Sequence, residues 1–75
     1  MTLADFLKYI TTQNCTHKPL EGANLSGVGV KLINLGNNRF YFLQIYHGGE
    51  LTDKTIIAAC DKLIIPYPPH LRFLM

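Results

Sequence analysis

Apolar residues recur every three or four positions at Leu3, Phe6, Leu7 and Ile10, and again at Ile56, Ala59, Cys60, Leu63 and Ile64. That spacing places each set on one side of a helix and predicts helices over residues 3–13 and 53–63. Thr2 and Asp5 stand at the spacing of a capping box, and Asn14 suits the end of the first helix. Thr52 is an N-cap residue for the second helix, with Asp53 in its first turn.

Between these stretches the period shortens to two. Residues 28–34 and 39–46 read as antiparallel strands joined through Gly36-Asn37 in a tight turn that tolerates positive φ. With Leu35 facing Asn38, Leu32 meets Tyr41, Val30 meets Leu43 and Val28 meets Ile45, so one face of the hairpin is continuously apolar. That face receives the helices. The same register puts Lys31, Ile33, Phe40, Phe42, Gln44 and Tyr46 on the other face, which is aromatic and lightly charged. Residues 15–20 look extended, but Pro19 restricts them to an edge strand or a loop. Turn formers fill residues 21–27.

After the second helix, Ile65-Pro66-Tyr67-Pro68-Pro69 cannot continue a helical path and favours an extended one. The closing His70-Leu71-Arg72-Phe73-Leu74-Met75 is too apolar for a freely solvated tail, so it packs on its own domain or on a neighbour. The expected fold is a small two-layer α+β sandwich in the order α-β-β-β-α, one domain with an extended proline-rich tail over residues 65–75. Its sheet is antiparallel, with both helices on one face.

A chain of 75 residues buries only roughly 60% of the surface its unfolded form exposes, which makes partners or self-association useful. Apolar residues at 48% and charged residues at 16% indicate a folded chain with little charge to wet its surface. The net charge of +2 comes from Lys and Arg spread along the chain, so nucleic acid is permitted as a ligand without being demanded. No apolar run approaches membrane-spanning length and no leader pattern opens the chain, so a cytoplasmic protein without membrane attachment is expected. Cys15 and Cys60 are too few for a disulfide framework and read as reduced thiols.

The turn His47-Gly48-Gly49-Glu50-Leu51, followed by Thr55-Ile56, marks a strand-to-helix corner. Together with the N-terminal Leu3, Phe6, Leu7, Ile10 helix it resembles the HicA-like toxins, small bacterial proteins whose fold is related to double-stranded-RNA-binding domains. The resemblance implies RNA association in a toxin-antitoxin setting, with an antitoxin-like protein as partner. In that family a Gly-Ser-His element enters the first hairpin strand and supplies the catalytic histidine of a messenger-RNA nuclease. Here the equivalent stretch is Ser26-Gly27-Val28-Gly29-Val30-Lys31, which has no imidazole to take a 2′-hydroxyl proton. The implied protein is therefore catalytically altered.

His47 is left as a weak catalytic candidate, a lone ring in a glycine-rich corner. The simpler reading is a turn residue, and Glu50 is either its orienting group or a solvated loop residue. Cys15, His17, His47 and Cys60 are zinc-type ligands without the spacing of a knuckle or finger. Cys15 and His17 have no third group to complete a nucleophile. The glycines at 22, 27 and 29 lack the Lys-Ser/Thr ending of a phosphate loop. No cofactor is expected. The binding candidates are Lys31, Arg39, Phe40, Phe42 and Tyr46, where aromatics beside cations can stack unpaired bases, and Lys54, which stands where the resemblance implies phosphate contact. The alternative is a non-enzymatic interaction module, a homodimer or small-complex subunit that buries the same aromatic face and the C-terminal tail.

Overall fold

A computed structural model describes residues 1–20, 28–45 and 50–74. Helix α1 (Leu3–Thr11) begins where Thr2 Oγ1 accepts the Asp5 backbone N–H at 3.1 Å. It stops two residues short of the predicted 3–13. The Thr12 and Gln13 N–H groups turn to the Tyr9 and Ile10 carbonyls at 3.0 and 2.9 Å, and the Thr12 hydroxyl donates to Tyr9 O at 2.6 Å. A hydroxyl competing for helix carbonyls favours such an ending. Asn14, at φ 61°, then redirects the chain.

Three antiparallel strands follow in the spatial order of the sequence: β1 (Cys15–Pro19), β2 (Val28–Asn34) and β3 (Phe40–Ile45). Residues 15–19 thus form a third strand, and Pro19 is accommodated because β1 is an edge. The β2–β3 register pairs Val30 with Leu43, Leu32 with Tyr41 and Val28 with Ile45, as the alternation predicts. The connection differs. A four-residue loop over 35–38 replaces the two-residue turn, closed by Asn34 N–H to Arg39 O and Asn38 N–H to Asn34 O, both 2.8 Å. One residue is added on each side, so the register survives, and Asn38 takes the left-handed conformation at φ 61°. At the far edge β3 contains neither a charged residue nor a proline.

Val30, Leu32, Leu43 and Cys15 point to one side of the sheet and are buried with Phe6 and Ile10 of α1 and Ile56, Ala59, Cys60 and Leu63 of α2 (Asp53–Leu63). Helix α1 lies over β1, while α2 lies over β2 and β3. The molecule is a two-layer α+β sandwich in the order α-β-β-β-α. Thr2 forms an antiparallel bridge with Glu50, and Leu51 N–H reaches Met1 O at 2.8 Å, tying the start of α1 to the start of α2.

Helix α2 ends at Ile64, whose φ of 57° and ψ of 55° lie in the left-handed region. Ile65 N–H closes the turn on Cys60 O at 3.1 Å, the bond that defines a Schellman ending. A β-branched residue is strained there, and its side chain is 60% exposed. Glycine relieves roughly 1–2 kcal/mol of that strain and returns up to about 1 kcal/mol as unfolded-state entropy. Ile64→Gly is expected to raise the thermal midpoint by a few degrees; a lower midpoint in calorimetry would show that the isoleucine side chain supplies packing that outweighs the strain.

Residues 65–74 do not stay extended throughout. The prolines carry the chain back along α2, and Pro69–Leu74 winds into a 3-10 helix. Tyr9 of α1 donates its phenol hydrogen to the Pro66 and Tyr67 carbonyls. The Tyr67 hydroxyl donates to Asp61 Oδ1 at 2.8 Å, and Arg72 Nε donates to Tyr67 O at 2.9 Å. Leu71 is buried in the core and His70 lies 3.6 Å from Asp53. The tail therefore straps the helical layer and leaves the outer face of the sheet uncovered by residues 65–74.

Candidate nucleic-acid interface

The alternation that sends Leu32 and Leu43 inward sends Lys31, Ile33, Phe40, Phe42 and Gln44 outward. Register sets their neighbours. Lys31 stands opposite Phe42 on β3 and opposite Lys18 on β1, while Ile33 stands opposite Phe40 and Thr16. Phe40 and Phe42 meet edge to face, ring centroids 5.2 Å apart at 70°. The Lys31 ammonium lies 4.8 Å from the Phe40 centroid and 5.7 Å from that of Phe42. Such contacts are worth about 0.5–1 kcal/mol at an exposed site, enough to orient the side chains. The two rings nonetheless remain 45% and 54% exposed.

Among the described residues the charges on this face are of one sign. Strands β1, β2 and β3 contain Lys18 and Lys31 and no carboxylate, and Arg39 precedes β3. The described carboxylates are elsewhere: Asp5 on α1, Asp53 and Asp61 on α2, and Glu50 held at 3.0 Å by the N-terminal ammonium. Lys18 facing Lys31 across a strand pair is mildly repulsive and is relieved by an anion.

Lys31, Phe40 and Phe42 of the sequence candidates come together here, with Arg39 at the margin. Lys54 does not join them, because it lies on α2 in the helical layer. Tyr46 and His47 lie outside the described residues. Lys18 and Lys62 were not legible as candidates. Lys18 faces outward only once β1 pairs with β2, and Lys62 approaches Arg39 only through the docking of α2. Arg39, Phe40 and Asn38 line a concavity of about 250 Å³ with Lys62. A second groove of about 540 Å³ beside Ile64, Ile65, Pro66 and Tyr67 is mainly apolar and includes no lysine or arginine.

Both thiols are buried, which favours their protonated form. Burial pushes the Cys15 pKa up, and it pushes that of Cys60 from 9.0 to about 12, with the Asp61 charge and Cys15 adding to it. Among the described residues no three His, Cys, Asp or Glu side chains converge as a metal site. The unfolded chain releases the Cys60 proton near 9.0 while the folded one holds it to about 12. This contribution to stability is thus complete below pH 9 and is lost as pH rises towards 12. Urea midpoints are expected to fall across that window, with thiol reagents reacting only as fast as the protein opens. Rapid stoichiometric labelling at pH 7 would contradict the burial.

No protein-family profile, curated protein or solved structure matches this chain.

Proposed function

We propose that this protein binds single-stranded RNA on the outer face of its sheet, without cleaving it, as a catalytically altered relative of the HicA-like toxins acting in the cytoplasm. One observation carries the reading. Two half-exposed phenylalanines share a face with Lys31 and Lys18, and no carboxylate stands on any of the three strands. Unpaired bases stack on aromatic faces whatever their sequence, and the flanking cations follow the phosphates. A helical-layer pair such as His70 and Asp53 lies on the opposite side of the sheet and has no access to a strand bound there.

The same charges argue against burying this face in a symmetric dimer. An isologous contact brings one lysine-bearing patch onto its copy, and like charges in apposition are unfavourable. The test is fluorescence anisotropy with a labelled oligouridine and a matched RNA duplex across a salt series. Three cations, Lys18, Lys31 and Arg39, predict a log–log salt slope of about −2 for the single strand. Absence of binding at low salt, or preference for the duplex, would overturn the proposal. A salt-insensitive dimer in sedimentation equilibrium would instead assign the face to a protein partner, a second copy or an antitoxin-like protein.

A further inference from the structure

We infer that the concavity between the hairpin tip and the end of α2 holds the terminal phosphate of an RNA strand whose bases lie on Phe40 and Phe42. The inference rests on the RNA-binding reading above and adds to it a preference for strand ends.

Arg39 and Lys62 come from elements distant in sequence and line one concavity with Phe40 and Asn38. Neither cation forms an ion pair with a described residue. The carboxylate nearest in sequence, Asp61, accepts the Tyr67 hydroxyl at 2.8 Å. Helix C-termini carry partial negative charge, which ordinarily weakens any anion site beside them. Here the Leu63 carbonyl is covered by two amides, Asn34 Nδ2 at 2.8 Å and Asn37 Nδ2 at 3.2 Å. The positive charges of Arg39 and Lys62 are left for an external anion.

The number of charges favours a terminal group over an internal one. A phosphodiester has one negative charge, whereas a phosphate monoester has between 1.5 and 2 at neutral pH, roughly what two cations match. Guanidinium also grips phosphate through paired N–H groups, which adds geometry to charge. Phe40 belongs both to this concavity and to the aromatic pair, so a nucleotide whose phosphate sits between Arg39 and Lys62 has a ring surface beside it for its base.

Three labelled octauridines distinguish the possibilities: one with a 5′-phosphate, one with a 3′-phosphate and one with hydroxyls at both ends, each titrated into the full chain. One of the phosphorylated strands is expected to bind about tenfold more tightly than the hydroxyl strand, equivalent to about 1.4 kcal/mol. Lys62→Ala and Arg39→Ala should each shrink that ratio towards one, and circular dichroism confirms that the variants fold. Equal affinity of all three strands would overturn the terminal-phosphate site while leaving RNA binding intact. A tenfold preference that survives both substitutions would place the phosphate elsewhere. Failure of every strand to bind would overturn the RNA-binding reading itself.

Discussion

Replacing both exposed rings, in a Phe40→Ala/Phe42→Ala variant, is expected to reduce single-stranded RNA affinity by about thirtyfold or more while the fold survives. Each base stacked on an aromatic ring contributes about 1–3 kcal/mol, so the proposed RNA site would draw roughly 2–6 kcal/mol from the pair. The stability change is smaller. What the fold loses is one edge-to-face pair, the Lys31 contacts and the partial burial of two half-exposed rings. Cross-strand pairs and exposed cation–π contacts are each worth about 1 kcal/mol or less. Anisotropy and thermal melting on the same preparation separate the two effects. A variant that melts many degrees lower and binds RNA as the parent does would make the aromatics a structural cover for the sheet and take RNA binding off this face.

Asn34→Leu should destabilise the protein by about 3 kcal/mol, a large fraction of what a domain of this size possesses. Asn34 is 7% exposed and is the buried polar side chain in the otherwise apolar core among the described residues. Its amide does two things. Nδ2 donates to the Leu63 carbonyl at the end of α2 at 2.8 Å, and Oδ1 accepts the Gly36 N–H at 2.8 Å, which shapes the loop. Leucine leaves Gly36 N–H unpaired and Leu63 O with only the longer bond from Asn37, and the isobutyl group cannot use the same space. The buried bond to Leu63 costs about 1–3 kcal/mol when unmade, and the part-buried one to Gly36 adds a smaller amount. A drop of roughly 15 °C in melting temperature follows for a chain of this length. A shift of only two or three degrees would mean that the clamp between hairpin and helix is not what holds them together.

These three residues show where the sequence speaks and where it is silent. The hairpin register was legible because Val28, Val30 and Leu32 recur at every second position, as do Tyr41, Leu43 and Ile45, and the turn at Gly36-Asn37 sets these two series opposite each other. Phe40 and Phe42 were therefore legible as an outward pair. Helix α2 was legible to the residue, since Thr52 caps it and Ile56, Ala59, Cys60 and Leu63 trace a single stripe. Asn34 was not, because asparagine at the end of a strand reads as turn chemistry. Only the docking of α2 makes its amide a clamp. Arg39 and Lys62 meet for the same reason, through tertiary packing that spacing along the chain does not encode. The pairing of β1 depends on a contact between segments separated along the chain, and Pro19 narrows the options without choosing between them.

The uncharged edge of β3 has a consequence for how the protein behaves in company. Phe40-Tyr41-Phe42-Leu43-Gln44-Ile45 is a six-residue run rich in strand-forming side chains. It lacks the charges and proline by which edge strands ordinarily discourage their own kind. The opposite edge has both, in Lys18 and Pro19. One border of the sheet is thus a template on which further strands can add at high concentration, and the rings that suit it to bases also suit it to amyloid-like stacking. A polyanion lying across that face would keep the molecules apart, so the occupied protein should store and concentrate better than the empty one.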